Sequence, residues 1–203
     1  MKRIYVTKLI GIVFPVLVAA VPSITFAGVP GCDPNDPSLP PAQWDSSVTV
    51  PTDATIGAGT VIGRNVTIAH HVTIGKCVDI RVGVRLGYSA DVGDAATIFW
   101  NTSLAGYSSV GNYTYVGHNT TLGSSVDVGS GSVIGNYISL ATQTSVGHNT
   151  KLGSGTTSGR SVDIGNWVSG GTNVSIGAYA NVCDNTTMPD EMSISRSGSY
   201  GCQ

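Results

Sequence analysis

The chain has 203 residues, of which 41% are hydrophobic and only 11% are charged, and its formal net charge at pH 7 is −2. So small a net charge provides no electrostatic attraction toward nucleic acid or an acidic lipid surface. We therefore expect neither as a partner.

The first 27 residues have the composition of an export signal. A basic segment over residues 2–8 precedes an apolar run over residues 9–21, and small residues form a cleavage signal before Gly28. The apolar run is short for a permanent membrane helix. We predict a signal peptide over residues 1–27, a secreted or periplasmic protein, and no membrane span after cleavage. A retained membrane anchor and a lipoprotein signal ending at Cys32 are the alternatives.

A Pro-rich segment over residues 28–46 follows, and from Val50 to Met188 the chain repeats every six residues. Of the 24 positions in this register, 22 are Val, Ile, Leu or Met, and the exceptions are Ser158 and Gly170. Alternate residues of a strand share a face, so the aliphatic residue and the small residue two before it are predicted to point inward. The Gly or Ala that usually follows is expected to turn the backbone where a Cβ would crowd, through dihedrals that other residues avoid. No hexad can bury its apolar face alone, so the hexads must stack as a solenoid.

The pattern [LIV]-[GA]-x-x-[STAV]-x over residues 47–189 resembles the bacterial transferase hexapeptide repeat. The resemblance implies an all-β fold, a left-handed parallel β-helix (β-solenoid) with three hexads in each triangular coil. The 24 hexads then make about eight coils. Residues 28–46 are expected to cap one end, because an open stack of strands exposes unpaired edges. Residues 190–203 show no helical periodicity and are expected to form a short C-terminal tail.

Four cysteines, Cys32, Cys77, Cys183 and Cys202, form an even set in a chain predicted to be exported. An oxidising compartment favours disulfides over metal binding or catalysis. The first two lie near the start of the repeat and the last two near its end, so we predict the pairs 32–77 and 183–202, each pinning a terminal cap. No Cys/His spacing is typical of a metal site, and neither a metal nor a cofactor is expected.

Residues 18 apart are expected to lie one coil apart, which defines three outer faces. The first face is almost uncharged, and its Asn-x-Thr/Ser pairs include Thr67, Ser103, Thr121 and Ser139. Such a flat row of hydroxyl groups suits a regular lattice such as ice or a polysaccharide, and the alternative is an ordinary solvated β-face.

The second face carries Asp91, Asp127 and Asp163 on alternate coils, and the third face is mixed. Carboxylates two coils apart are separated by roughly 9–10 Å, which is too far for one cation to bind both. We interpret these aspartates as solvated charges.

Large side chains replace the usual small residues at one corner of the repeat. Phe99 and Trp100 occupy such positions, Trp100 and His118 are equivalent in successive coils, and Tyr115 is close by. The narrow interior has no room for these side chains, so they must project outward. An exposed aromatic cluster is typical of an interface or a sugar-stacking site. The alternative is that the aromatic rings cap the strand ladder locally.

The family resemblance also implies acyl transfer. Hexapeptide acyltransferases are usually trimers that bind acyl-CoA or acyl-carrier protein between subunits and use a histidine as general base. His70 or His71, within residues 64–75, would be the best candidate, followed by His118 and His148. The histidines at positions 70, 118 and 148 fall on three different corners, so they do not converge within one coil.

Three departures weigh against an enzyme: the hexads contain no loop insertion, no helix is predicted after them, and acyl-CoA is not normally available outside the cytoplasm. We therefore expect an exported, non-enzymatic β-solenoid without catalytic residues, acting as a structural or surface-binding element. Its expected partners are copies of itself, as a trimer or end to end, or an extracellular polysaccharide or protein. The alternatives are a hexapeptide-repeat acyltransferase and an ice-binding protein that uses the flat Thr/Ser/Asn face.

Overall fold

A computed structural model describes residues 28–202, and the predicted signal peptide lies outside them. Within this range the chain forms 26 strands of two residues each, in three parallel sheets and without a helix. Each strand pairs in register with the strand one coil further on, as Val61 with Asp79 and Ile62 with Ile80. The chain is therefore a parallel β-solenoid, as the hexad register predicts.

The three sheets coincide with the three faces defined above. The first face has eight strands: Thr67–Ile68, Arg85–Leu86, Ser103–Leu104, Thr121–Leu122, Ser139–Leu140, Thr157–Ser158, Ser175–Ile176 and Ser193–Ile194. The second face has nine: Thr55–Ile56, Thr73–Ile74, Asp91–Val92, Ser109–Val110, Asp127–Val128, Ser145–Val146, Asp163–Ile164, Asn181–Val182 and Ser199–Tyr200. The third face has nine: Gln43–Trp44, Val61–Ile62, Asp79–Ile80, Thr97–Ile98, Tyr115–Val116, Val133–Ile134, Lys151–Leu152, Ser169–Gly170 and Thr187–Met188.

The solenoid extends beyond the predicted repeat at both ends, which gives about nine turns. Gln43–Trp44, in the Pro-rich segment, pairs with the strand Val61–Ile62. Ser193–Ile194 and Ser199–Tyr200, in the segment expected to be a tail, continue the first and second faces. Polar residues at the corners and outward positions hide the repeat there, although Ile194 still occupies the inward position.

The core is a narrow column of stacked aliphatic side chains. Ile80, Ile98, Val116 and Ile134 lie one above another and are fully buried. Inward threonines satisfy their hydroxyl groups on the next coil, as Thr102 does by donating to the Gly117 carbonyl at 2.8 Å. Among the described residues, no buried side-chain nitrogen or oxygen lacks a hydrogen-bond partner.

Contrary to what we expected from the sequence, the recurring glycine does not make the turn at the corner. Gly75 has no positive φ, but a Cβ on it would lie 2.7 Å from the Asp94 backbone nitrogen on the next coil. The left-handed residue comes two positions later, as at Cys77 with φ 56°. Glycine after the aliphatic residue therefore permits close stacking of coils, and the turn itself is made by a residue that is usually not glycine.

The N-terminal segment packs against the start of the solenoid. The backbone nitrogen of Gly28 donates to the hydroxyl of Thr97, and the backbone nitrogen of Val29 donates to the Cys77 carbonyl at 3.0 Å. Thr97 is consequently buried although it points outward from the third face. Over the described range, the chain has no helix with the length and apolar character needed to cross a membrane.

Candidate functional site

The structure brings His70 and His71 together with a carboxylate that we did not single out in the sequence. Nδ1 of His70 lies 3.0 Å from Oδ2 of Asp53, and Nδ1 of His71 lies 3.4 Å from the same oxygen. Asp53 precedes His71 by 18 residues, so it occupies the equivalent position one coil earlier. The 18-residue register was the signal that could have found it.

The Asp53 carboxylate fixes which nitrogen of His70 carries a proton. A carboxylate only accepts hydrogen bonds, so Nδ1 of His70 donates and Nε2 of the neutral ring keeps its lone pair. Burial acts to raise the pKa of Asp53, but the hydrogen bond from His70 and the electrostatic effect of His70 and His71 hold it below its usual value. The pair therefore has the arrangement of a general base with an orienting acid.

Tyrosines line the same corner on the following coils. The ring of His71 meets that of Tyr88 edge to face at a centroid distance of 5.1 Å, and Tyr88 meets Tyr107 at 5.6 Å. Both tyrosines are exposed. They form an aromatic wall beside the two histidines, and this corner adjoins the first face.

The other two histidines use Nδ1 as an acceptor. Nδ1 of His148 accepts a hydrogen bond from the Ser130 backbone nitrogen at 2.9 Å. Nδ1 of His118 lies 3.0 Å from the side-chain nitrogen of Asn119, which can only donate. In each neutral ring Nε2 then carries the proton, so neither nitrogen is free to take another without loss of that bond. As the sequence predicts, the histidines lie on three separate corners.

The predicted aromatic corner forms a continuous stack along the solenoid. Phe99 lies 5.1 Å from Trp100 and 4.9 Å from Tyr115 between ring centroids. His118 stacks flat on Trp100 at 4.8 Å and meets Tyr137 edge to face at 4.9 Å. Trp100 and Tyr137 project outward, while Phe99, Tyr115 and His118 are half-buried.

The first face departs from the flat row expected from the sequence. Its asparagines are corner residues in the left-handed conformation, with φ from 54° to 57° at Asn65, Asn101, Asn119 and Asn173. Asparagine tolerates this conformation better than most residues do. Only the second residue of each Asn-x-Thr/Ser pair lies on a strand, as Thr67, Ser103, Thr121 and Ser139 do. The face therefore presents one hydroxyl group per coil rather than a two-residue lattice.

The cysteines pair as predicted. Cys32 bonds to Cys77 and Cys183 to Cys202, with Cα atoms 5.6 Å and 5.2 Å apart. The first bond ties the Pro-rich segment to the second coil, and the second ties the last two coils together.

The aspartates of the second face lie on alternate coils, and Ser109 between two of them donates to Asp127 at 2.6 Å. The described part of the chain contains no group of three His, Cys, Asp or Glu residues placed to hold a metal ion.

Solved structures that resemble the chain include three UDP-N-acetylglucosamine acyltransferases. The UDP-N-acetylglucosamine O-acyltransferase (LpxA) of Moraxella catarrhalis is 17% identical, with a TM-score of 0.38 over 73% of this chain and 65% of that one. The UDP-N-acetylglucosamine acyltransferase of Arabidopsis is 17% identical, with a TM-score of 0.43 over 77% and 60%. That of Campylobacter jejuni is 15% identical, with a TM-score of 0.36 over 74% and 68%. The chain thus spans less than two thirds of the length of the first two.

These findings correct the expected function. The expectation of a non-enzymatic structural or surface-binding element is wrong by these comparisons, which back the acyltransferase alternative better: one family model matches the chain, and the solved structures similar to it in fold are named as acyltransferases. That expectation depended in part on the lack of a loop insertion and of a C-terminal helix. Either feature would be a local addition to the solenoid, so its lack does not decide whether residues at the corners are catalytic.

The comparisons with known sequences give one family. No curated protein sequence matches the chain. A family model described as the GMPPB C-terminal domain matches residues 44–150, which is just over half of the chain and includes both the histidine corner and the aromatic corner. The chain is a hexapeptide-repeat β-solenoid and belongs to the GMPPB C-terminal domain family.

Proposed function

We propose that the protein is an acyltransferase in which His70, oriented by Asp53, is the general base. The observation that carries the proposal is the 3.0 Å contact between Nδ1 of His70 and Oδ2 of Asp53, which leaves Nε2 able to accept a proton. His118 and His148 lack such a contact and use Nδ1 to accept a hydrogen bond. Only the corner with His70 and His71 therefore combines a histidine base with an orienting carboxylate among the described residues.

The reaction that suits this arrangement transfers an acyl group from a thioester to a hydroxyl or amino group. Nε2 of His70 removes the proton from the acceptor as its oxygen or nitrogen attacks the thioester carbonyl. The carbon–sulfur bond then breaks, and the imidazolium returns its proton to the departing thiolate. The Asp53 carboxylate stabilises the imidazolium while it carries the extra proton.

The environment of the pair is open enough for a large acceptor. The side chain of His70 is 70% exposed, whereas that of Asp53 is 31% exposed. Nε2 therefore faces solvent and the orienting carboxylate is better sheltered. His71 and Tyr88, whose rings are in contact, form one wall of the corner.

We also propose that the protein is exported and that its signal peptide over residues 1–27 is removed. The basic and apolar segments of those residues support this, and so do the two disulfides, which persist in oxidising compartments. The family resemblance further supports self-association, with a trimer as the expected form.

The proposal is tested by measuring thiol release by the purified protein, with amino and hydroxyl sugars as acceptors. Acetyl-CoA serves in this assay as a soluble thioester substitute for the natural donor, because acyl-CoA is not normally available to an exported protein. The parent should release thiol only when an acceptor is present. His70→Ala should lower the rate by about 10²-fold or more, because general base catalysis contributes about 10²–10⁴-fold. His148→Asn is the matched control and should keep the parent rate. An unchanged rate in His70→Ala would contradict the assignment of the base.

A further inference from the structure

A notch interrupts the aromatic corner on the side of Trp100 that faces the start of the chain. Arg64, Val82, Trp100 and His118 occupy equivalent positions in four successive coils. Coils are about 4.8 Å apart, so Arg64 and Trp100 are roughly 10 Å apart along the axis, with the small Val82 between them. His118 covers one face of the indole ring at 4.8 Å. The other face borders a cavity of about 490 Å³, lined by Arg64, Arg81, Val82, Phe99, Trp100 and Asn101.

The notch combines an apolar stacking surface with positive charge. Trp100 is 43% exposed and Val82 is also exposed. Arg81 pairs with Asp79 at 2.6 Å and lies over the Phe99 ring at 5.8 Å. Arg64 is exposed and has no carboxylate within 4.0 Å among the described residues; its charge acts on Asp45 only at longer range, as the smallest of the causes that lower the pKa of that carboxyl. Its guanidinium group therefore remains available to an external anion.

The first face carries a further positive charge beside this notch. Arg85 is exposed on the strand that follows Val82, between the notch and the corner with Tyr88 and His71. Arg64, Arg81 and Arg85 are three of the ten basic residues in a chain of net charge −2. Three arginines thus lie along the surface that leads from the notch to His70, and of these Arg81 is paired with Asp79.

We infer that the notch binds an anionic sugar ring, and that the acyl acceptor is a polysaccharide built from uronic acid units. The apolar face of a pyranose ring packs on the open face of Trp100, above Val82. A sugar carboxylate pairs with Arg64, because a guanidinium fork matches the two oxygens of a carboxylate. A cavity of this size is within the usual range of ligand sites. Binding of the sugar at the notch does not depend on the proposed acyltransferase function. Only the role of that sugar as acyl acceptor rests on it.

The position of the notch relative to His70 supports one extended ligand. Arg64 stands at the corner that precedes the strand Thr67–Ile68, and His70 stands at the corner that follows it. Six residues of strand and turn span at most about 20 Å, which is the length of a few sugar units. A chain bound at the notch can therefore cross the first face and present a hydroxyl group to Nε2 of His70.

The inference is tested by titrating the purified protein with a tetrasaccharide of galacturonic acid and following tryptophan fluorescence and heat. The parent should bind it at least tenfold more tightly than the neutral galactose tetrasaccharide of the same linkage, and binding should weaken as salt rises. Trp100→Ala and Arg64→Gln should each weaken binding at least tenfold. Trp167→Ala removes another exposed corner tryptophan and should leave binding unchanged.

Val82→Trp is the most specific test. It fills the notch with an indole ring, and the next coil already accommodates an indole ring at the equivalent position, Trp100. It keeps Arg64 and Trp100 and should still abolish binding. Binding by Val82→Trp with the parent affinity, or equal binding of the neutral tetrasaccharide, would overturn the inference. His70→Ala keeps every residue of the notch and should weaken binding of the acidic tetrasaccharide much less than Trp100→Ala does, while it strongly lowers acyl transfer, so loss of acyl transfer and loss of sugar binding are separate outcomes.

Discussion

Nδ1 of His70 lies 3.0 Å from Oδ2 of Asp53, and the two residues come from adjacent coils of the solenoid. The contact therefore exists only when the coils stack in register. The proposed catalytic pair therefore depends on the fold, because a shift in register between these two coils would separate His70 from the carboxylate that orients it.

Asp53→Asn tests that contact. The amide keeps the size of the side chain but removes its negative charge, so it no longer stabilises a protonated His70. We expect the rate of acyl transfer to fall by about 10²-fold or more, with little change in the melting temperature, because the site is exposed. His71→Ala is the matched control, since its Nδ1 lies further from Asp53, at 3.4 Å. An equal loss in both variants would assign the role to the corner as a whole and not to the pair.

The pKa of Asp79 predicts a dependence of stability on pH. Burial raises this pKa above the ordinary value of 3.8, and the nearby Arg81 opposes the rise only in part. The native carboxyl therefore holds its proton at pH values where the unfolded chain has released it. Stability contributed by this group falls as pH rises from about 3.8 through the raised pKa.

Asp79→Asn should remove this loss. We expect a higher melting temperature than that of the parent at pH 7 and an equal one at pH 3, measured by circular dichroism. Asp163→Asn changes an exposed aspartate on the second face and should show no such crossover. A lower melting temperature for Asp79→Asn at pH 7 would mean that the 2.6 Å pair with Arg81 outweighs the burial.

Ile134→Asp tests the inward register. Ile134 is fully buried and stacks between Val116 and Leu152. A carboxylate there has no partner in a narrow apolar column, and the change should cost several kcal/mol, roughly 4 or more. We expect loss of the strand signal at temperatures where the parent is folded. Val133→Asp alters the adjacent outward position and should be tolerated.

The sequence predicts the solenoid well because a single rule applies in every coil. The aliphatic position and the small residue before it alternate as a strand requires, and the 18-residue register then places Asp91 beside Ser109 and Trp100 beside His118. The ends were predicted less well, because Ser193–Ile194 and Ser199–Tyr200 have polar neighbours that hide the rule.

The candidate site was only half visible in the sequence. His70 and His71 stand out because histidine is rare in the chain, whereas Asp53 is one of many acidic residues and gains a role only through its contact. The direction of each histidine hydrogen bond was also invisible. It depends on whether Nδ1 faces a carboxylate, as in His70, or a backbone N–H group, as in His148.

Two positions at one corner, Gly123 and Ser125, test the two separate roles of glycine, which are close stacking of coils and a left-handed backbone conformation. A Cβ on Gly123 would lie 2.8 Å from the Thr142 backbone nitrogen, so Gly123→Ala should force adjacent coils apart and lower stability. Ser125, two residues later, has φ 57°, where an L-residue costs roughly 1–2 kcal/mol more than glycine. Ser125→Gly should therefore raise the free energy of unfolding by up to about 1 kcal/mol, after the greater entropy of glycine in the unfolded chain is deducted. Chemical denaturation measures both, and opposite signs are expected.

The disulfides should stabilise the two ends of the solenoid unequally. The cysteines of the Cys32–Cys77 bond are 45 residues apart and those of the Cys183–Cys202 bond are 19 apart. On the chain-entropy account, the longer loop restricts the unfolded state more, and its bond should contribute about 0.8 kcal/mol more.

Cys32→Ser and Cys77→Ser should lower the free energy of unfolding by equal amounts, and the double variant should lose no more than either single variant. Denaturation of the single, double and Cys202→Ser variants checks this, and additive losses at positions 32 and 77 would contradict the pairing. Under reduction the terminal coils should exchange their amide hydrogens first, because a terminal unit of a solenoid has only one neighbour.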